Sequence, residues 1–230
     1  MLYICIVFAA IVPYLICSIS PAIIVTKIKS GEDIRTLGSG SAGLTNALRT
    51  GGKKTAVLVL LGDVFKGVIS ILAIKLFCHF FLPAYSVLDI DPPIEYAGYY
   101  PYLCVWLGSL SAVLGHCFPL YHKFRGGKAV LVTAATGLAI NWLPPLIAIL
   151  LFIILIAITK YVSIGSIIAA VAYPVSVWVV GTYIWDIPYT YIGVIFTSVI
   201  AAILVFMHRK NIVRLINKNE NKLNFNKKST

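Results

Sequence analysis

Three short stretches of this sequence carry residue types suited to holding an anion. The first is Gly38-Ser39-Gly40-Ser41-Ala42-Gly43-Leu44-Thr45-Asn46-Ala47-Leu48-Arg49. Gly38, Gly40 and Gly43 let backbone N–H groups converge, Ser39 and Thr45 add hydroxyls, and Arg49 supplies a fixed charge that can fork onto phosphate oxygens. The second runs from Gly115 to Val130 and contains His116, Lys123, Arg125, Gly126, Gly127 and Lys128. Its paired glycines allow a sharp turn before the next helix, so Lys128 is expected near a helix N-terminus, where free N–H groups also favour an anion. In the third, His208 to Leu215, His208, Asn211 and Arg214 recur every third residue and form a polar stripe on a helix. Chemistry on a phosphate is the common expectation.

The letters of the first stretch also satisfy GxGxxG, the spelling of a dinucleotide-binding turn. That reading needs a strand before the glycines and a βαβ unit around them. The surroundings are instead apolar: 60% of the 230 residues are hydrophobic and 12% charged, with a mean hydropathy of +0.93. Such a balance belongs to a membrane protein, here read as one domain over residues 1–230 with a basic tail from about 208 to 230. A spanning helix needs about 20 apolar residues. The expected spans are Leu2 to Thr26, Thr55 to Leu82, Tyr102 to Phe118, Ala129 to Leu143, Pro145 to Thr159, Ser163 to Trp185 and Tyr189 to Met207. The fourth and fifth are short and divided at Pro144-Pro145, so a hairpin or re-entrant pair is the alternative there. The first run begins without a basic segment and is expected to remain as an anchor.

Charge gives this all-α, seven-helix reading a direction. Lys27, Lys29, Arg35, Arg49, Lys53 and Lys54 fall in the first loop, Lys123, Arg125 and Lys128 in the third, Lys160 in the fifth, and seven more cations follow Met207. The second loop has Asp89, Asp91 and Glu95, and the sixth has Asp186. Positive charge accumulates on cytoplasmic loops, so the N-terminus is expected outside and the C-terminus in the cytoplasm. All three polar stretches then share the cytoplasmic face, where the net charge of +11 would attract anionic headgroups and metabolites. The cations are scattered among spans without a binding motif, which argues against nucleic acid as a partner.

Inside the second span, Asp63 and Lys66 stand three residues apart and can pair, as glue between helices or as the floor of a polar cavity reaching down from the basic face. Cys5, Cys17, Cys78, Cys104 and Cys117 lie in apolar stretches without CxxC spacing and read as packing residues. Neither a disulfide framework nor a zinc site is expected.

The three stretches together resemble motifs of the bacterial PlsY-type membrane glycerol-3-phosphate acyltransferases, which use acyl phosphate as donor. Gly38 to Arg49 is similar to GSGNxGxTNxxR, Gly115 to Ala129 to GHxFPxxxxFKGGKG, and His208 to Leu215 to HxxNIxRL. Asp63, Lys66 and Gly67 match an Asp-x-x-Lys-Gly element, and Asp33, Ile34 and Arg35 match the approach to the first motif. The resemblance covers nearly the whole chain. It implies a seven-helix enzyme of the bacterial inner (plasma) membrane, acting in phospholipid synthesis with its active site on the cytoplasmic side. The implied reaction moves a fatty acyl group from acyl phosphate to the sn-1 hydroxyl of glycerol 3-phosphate, giving lysophosphatidic acid and phosphate.

By the same resemblance, Ser39, Arg49 and Lys128 bind the phosphates, His208 and Asn211 lie near the acceptor, and the Gly40 to Asn46 stretch presents donors to the acyl phosphate. Gly38, Gly43, Thr45, His116, Gly126, Gly127, Arg214 and Glu220 complete the expected binding site, supported by Asp63 and Lys66. No metal, nucleotide or other cofactor is implied. The chain departs from the pattern at Ser41, where Asn is usual, at Leu44, where Ala is common, and at Ala129 and Lys218, which replace glycines. These departures leave three readings: the usual acceptor, another phosphorylated one, or an inactive relative. A transporter of an anionic solute would also use buried charge and broken helices, but such proteins often contain internal repeats and none is visible.

Overall fold

Every regular element in the computed structural model, which describes residues 1–82 and 98–222, is helical. The chain runs through α1 (Leu2–Ser18), α2 (Pro21–Ser30), α3 (Leu44–Phe81), α4 (Tyr99–Cys117), α5 (Val130–Ile140), α6 (Leu143–Thr159), α7 (Val162–Val179), α8 (Thr190–Met207) and α9 (Arg209–Ile216). Single 3-10 turns at Ile34–Thr36 and Leu120–His122 sit in the connections. Asp89, Asp91 and Glu95, on which part of the charge argument rests, lie outside the described residues, as does the tail beyond 222.

Five helical stretches are long and apolar enough to cross a membrane: Leu2–Ser30, Leu44–Phe81, Tyr99–His122, Val162–Ile184 and Thr190–Met207. The remaining apolar helices, α5 with 11 residues and α6 with 17, are shorter. By a rise of 1.5 Å per residue they measure about 16 and about 25 Å.

Several boundaries differ from the sequence expectation. The first span is broken: α1 ends at Ser18, and α2 restarts at Pro21 with the Ser20 hydroxyl accepting from the Ile23 N–H. Proline at the first helical position gives up an N–H that has no partner anyway. The same rule moves the divide between α5 and α6. Pro144 and Pro145 occupy the first turn of α6, and the break falls at Asn141 and Trp142, where Asn141 Oδ1 accepts from the Leu143 N–H. The second span starts far earlier than Thr55. Helix begins at Leu44, inside the first polar stretch, and passes through a break at Gly52 (φ 76°, ψ −175°).

The packing has the polarity of a membrane bundle. On α3, Val57, Leu58, Leu61, Phe65, Leu72, Leu76 and Phe80 face outward, whereas Asp63, Lys66, Gly67 and Ser70 are buried. Lipid solvates the large apolar side chains as well as a core would, so small and polar residues can be kept for contacts between helices. The main apolar cluster joins α1, α3, α4, α7 and α8 through Cys5, Ala9, Ile71, Ile74, Cys104, Trp106, Tyr173 and Ile192. All five cysteines are buried and free.

Close approach of α1 to α4 depends on Gly115, where a Cβ would collide with the Tyr14 carbonyl. Tyr14 also donates its hydroxyl to the Phe118 carbonyl at 2.8 Å, fastening the end of α4 to α1. Substituting Gly115→Ala is expected to cost about 1 to 3 kcal/mol through overpacking against backbone. A thermal-unfolding series in detergent checks this: Gly115→Ala melts several degrees below the parent chain.

Candidate active site

A cavity of about 370 Å³ opens among α3, α5, α6, α7 and α8, and residues from all three polar stretches line it. Ser39, Ser41, Gly43, Thr45, Asn46 and Arg49 come from the first, His116 and Lys128 from the second, and His208 and Asn211 from the third. Glu220 and Asp63 line it too. Its deeper walls are apolar, with Leu138, Pro145, Ala148, Ile149, Phe152 and Ala169.

The first stretch is held in shape by Asn46. That buried amide accepts from the Ser39 N–H at 2.9 Å and donates to the carbonyls of Ile34 and Leu37 at 3.2 and 3.0 Å. Gly38 has φ 55°, and a side chain there would run into the Asn46 amide. Gly43 precedes α3 without a side-chain cap, so the N–H groups of the first helical turn keep their partial positive charge for an anion. Arg35 ties this loop to the second stretch. It grips Asp33 through two nitrogens, Nη2 at 2.6 Å and Nε at 3.0 Å, and donates from Nη1 to the carbonyls of His122 and Arg125. Those bonds from Arg35 hold the Asp33 carboxyl below its usual range.

Gly126 and Gly127 fold the second stretch back onto the end of α4, their N–H groups bonding to the carbonyls of Cys117 and His116. A Cβ on Gly127 would collide with His116 Nε2 and the Ala42 carbonyl, so both glycines are required by close approach. His116 Nδ1 lies 2.9 Å from Lys66 Nζ, which also contacts Asp63 Oδ1 at 2.8 Å and donates to the Ile19 carbonyl at 2.9 Å. The same Nδ1 faces Asp63 Oδ1 at 3.5 Å. Asp63 and Lys66 thus pair, and the pair carries His116 at the cavity wall. Lys128 follows Gly127 and precedes α5; between them and the helix, Ala129 takes a left-handed conformation (φ 59°).

The third stretch continues from α8 into α9, and Glu220 folds back onto it. The Glu220 carboxylate accepts from Asn211 Nδ2 at 2.7 Å, Arg214 Nε at 2.6 Å and Ser163 Oγ at 3.1 Å. Asn211 in turn accepts from Lys128 Nζ at 2.7 Å. Burial pulls the Lys128 pKa down to about 8, aided by the charges of Arg214 and Arg49 and opposed by Glu220. Burial would raise the Glu220 pKa, but its bonds from Arg214, Asn211 and Ser163 outweigh that and hold it below the usual range. His208 is pushed down to about 4 by burial and by Lys128. Its Nδ1 lies 2.7 Å from the Leu204 carbonyl, which can only accept, so Nδ1 carries the proton and Nε2 keeps its lone pair.

Gly38, Gly40, Gly126, Gly127, Lys66 and Arg214 do not line the cavity; they shape its walls or hold residues that do. Sequence reasoning missed Ser163, Ser166 and Thr133, which bring hydroxyls from α7 and α5 to the cavity. It placed Arg35 among the loop cations and in the approach to the first motif, without its bonds to the second stretch. Among the described residues, no group of His, Cys, Asp and Glu side chains is arranged to hold a metal ion.

With this geometry in place, comparison with known proteins is specific. The sequence pattern of the family described as "Glycerol-3-phosphate acyltransferase" matches residues 7–218. The chain is 39% identical over 220 residues to Glycerol-3-phosphate acyltransferase 2 of Bacillus cereus, covering 95% of both chains. To the Glycerol-3-phosphate acyltransferase of Clostridioides difficile it is 37% identical over 217 residues, covering 94% of this chain and 95% of that one. Its fold is similar to the crystal structure of PlsY, an integral membrane glycerol 3-phosphate acyltransferase, in the glycerol 3-phosphate form, with a TM-score of 0.76, 28% identity and 95% of each chain covered. The lysophosphatidic acid form of PlsY gives a TM-score of 0.72 at 27% identity, covering 97% of this chain and 95% of that one. An integral membrane protein built around this cavity, the chain belongs to the glycerol-3-phosphate acyltransferase family.

Proposed function

We propose that this protein transfers a fatty acyl group from acyl phosphate to the sn-1 hydroxyl of glycerol 3-phosphate, releasing phosphate and lysophosphatidic acid for phospholipid synthesis. The observation that carries this reading is a cavity whose polar head joins Ser39, Arg49, Lys128, His208 and Asn211 to an apolar depth. Family membership and the two PlsY forms support the acceptor and the product. In this reading the whole chain is one membrane domain of seven crossings, with α5 and α6 as the short pair. The N-terminus lies outside and the polar head of the cavity on the cytoplasmic side of a bacterial inner membrane, with the basic tail beside it.

An acyl phosphate is already activated, and phosphate is a stable leaving group. Catalysis therefore consists mainly of positioning two anions and stabilising the oxyanion that forms at the carbonyl. Arg49 and Lys128 supply the charge, Ser39 and the first-turn N–H groups of α3 supply directed donors. The acceptor oxygen attacks the carbonyl carbon, the bond to the phosphate oxygen breaks, and the hydroxyl proton must leave. A base works best with a pKa near the operating pH. His208, at about 4, is too weak for that task, but its Nε2 can accept from the acceptor's second hydroxyl and so leave the reacting one turned to the acceptor's phosphate. The acceptor's own phosphate then takes the proton. Among the described residues, no Ser-His-Asp arrangement calls for an acyl-enzyme.

Two measurements test this mechanism. With purified protein, acyl phosphate and glycerol 3-phosphate, Arg49→Ala and Lys128→Ala are expected to lower turnover by about a hundredfold or more, whereas His116→Ala retains more. Equal loss at all three positions, with folding intact, argues for His116 as the base and against the substrate-assisted step. The second measurement is a pH profile. Lys128 is cationic below about 8 and neutral above it, so kcat/KM for glycerol 3-phosphate is expected to fall as pH rises through that value. Lys128→Arg stays charged and, although slower overall, shows no such alkaline fall.

A further inference from the structure

Tyr173 lines the cavity on its apolar side. Starting from Ser163, whose hydroxyl meets Glu220 at the polar head, the cavity-facing positions of α7 are Ser166, Ala169, Ala170 and Tyr173. Small residues line the upper part of this face, and the first large ring appears at Tyr173. That ring crosses to α5, where a Cβ on Gly137 would collide with the Tyr173 hydroxyl, and Pro145 of α6 stands 3.1 Å from the same point. Three helices thus meet at the ring. Tyr173 is 5% exposed, and its hydroxyl has no hydrogen-bond partner among the described residues. A buried hydroxyl gains nothing in that state. What the tyrosine contributes is reach, enough to bring the side chain to the gap left by Gly137.

We infer that Tyr173 is the acyl-chain stop, the residue that sets how long a straight fatty chain the cavity accepts. This inference rests on the acyl-transfer reading above and adds the chain-length class to it. Ten residues of α7 separate Ser163 from Tyr173, about 15 Å at the helical rise. Carbon–carbon bonds of about 1.5 Å at near-tetrahedral angles advance a chain by about 1.25 Å per methylene. The depth matches about a dozen carbons, and longer chains must bend or leave sideways between helices.

The test gives the full-length protein, in lipid nanodiscs, an equimolar mixture of decanoyl, dodecanoyl, tetradecanoyl and hexadecanoyl phosphate with glycerol 3-phosphate. Lysolipid products are then counted by mass. For the parent chain, product per donor rises to about the dodecanoyl length and then stops rising. Each further methylene that finds an apolar site is worth about fourfold. Tyr173→Ala is accordingly expected to raise the hexadecanoyl-to-dodecanoyl product ratio by about tenfold or more. Tyr173→Leu, which keeps more of the packing, moves the ratio in the same direction, and Tyr173→Phe, which keeps the ring, retains the parent break point. An unchanged ratio in active Ala or Leu variants overturns the stop, as does a parent profile that climbs without a break; either result means the chain leaves the cavity laterally. Absence of lysolipid from every donor overturns the acyl-transfer reading itself, and the stop with it.

Discussion

One carboxylate holds the polar head of the cavity together. Glu220 accepts from Ser163 on α7 and from Asn211 and Arg214 on α9, and through Asn211 it reaches Lys128 ahead of α5. Removing a buried anion's donors, or the anion from its cations, costs far more than a surface pair would suggest, because the remaining charge is left without solvent. Three parts of the chain distant in sequence are therefore fixed to one point. Yet Glu220 offers a single negative charge to Lys128, Arg214 and the nearby Arg49. Burial, with the neighbouring positive charges adding to it, depresses the lysine and lowers the His208 pKa. Phosphate groups bring the sign of charge that this cluster is short of.

Beneath that head, the bundle must carry charge through an apolar medium, and it does so by pairing. Asp63 and Lys66 neutralise one another and share His116, while Ile19 lends a carbonyl from the break between α1 and α2. That break has a use in the packing: ending α1 at Ser18 frees backbone groups at the depth where the lysine needs an acceptor. Glycines do comparable work elsewhere. Gly115 admits α1 to α4, and Gly127 admits the imidazole edge of His116 to the loop that carries Lys128.

Much of the candidate site was legible because its chemistry is concentrated in three short stretches, each with glycine, hydroxyl and cation in close order. Their convergence was inferred from charge placement, and the cavity brings them together. Helix limits were harder to read. Pro144-Pro145 looked like a divide, but proline is as well suited to starting a helix as to ending one, and the divide falls at Asn141 and Trp142. Gly38 to Arg49 looked like a continuous loop because glycine dominates its first half, whereas Leu44 to Gly51 is helical and Gly52 supplies the turn. Ser163 and Ser166 were invisible for another reason. A serine in an apolar helix normally bonds its own backbone, as Ser166 does to Val162, so neither type nor spacing marks it as part of a site.

The cavity that is polar at one end and apolar at the other joins two solvents. Under the proposed reaction its two products belong to different ones: phosphate dissolves in water, and the lysolipid in the bilayer. Each departs down its own partition gradient, so neither accumulates where the other must leave. Dilution into two phases then adds to the free energy that the activated acyl phosphate already supplies.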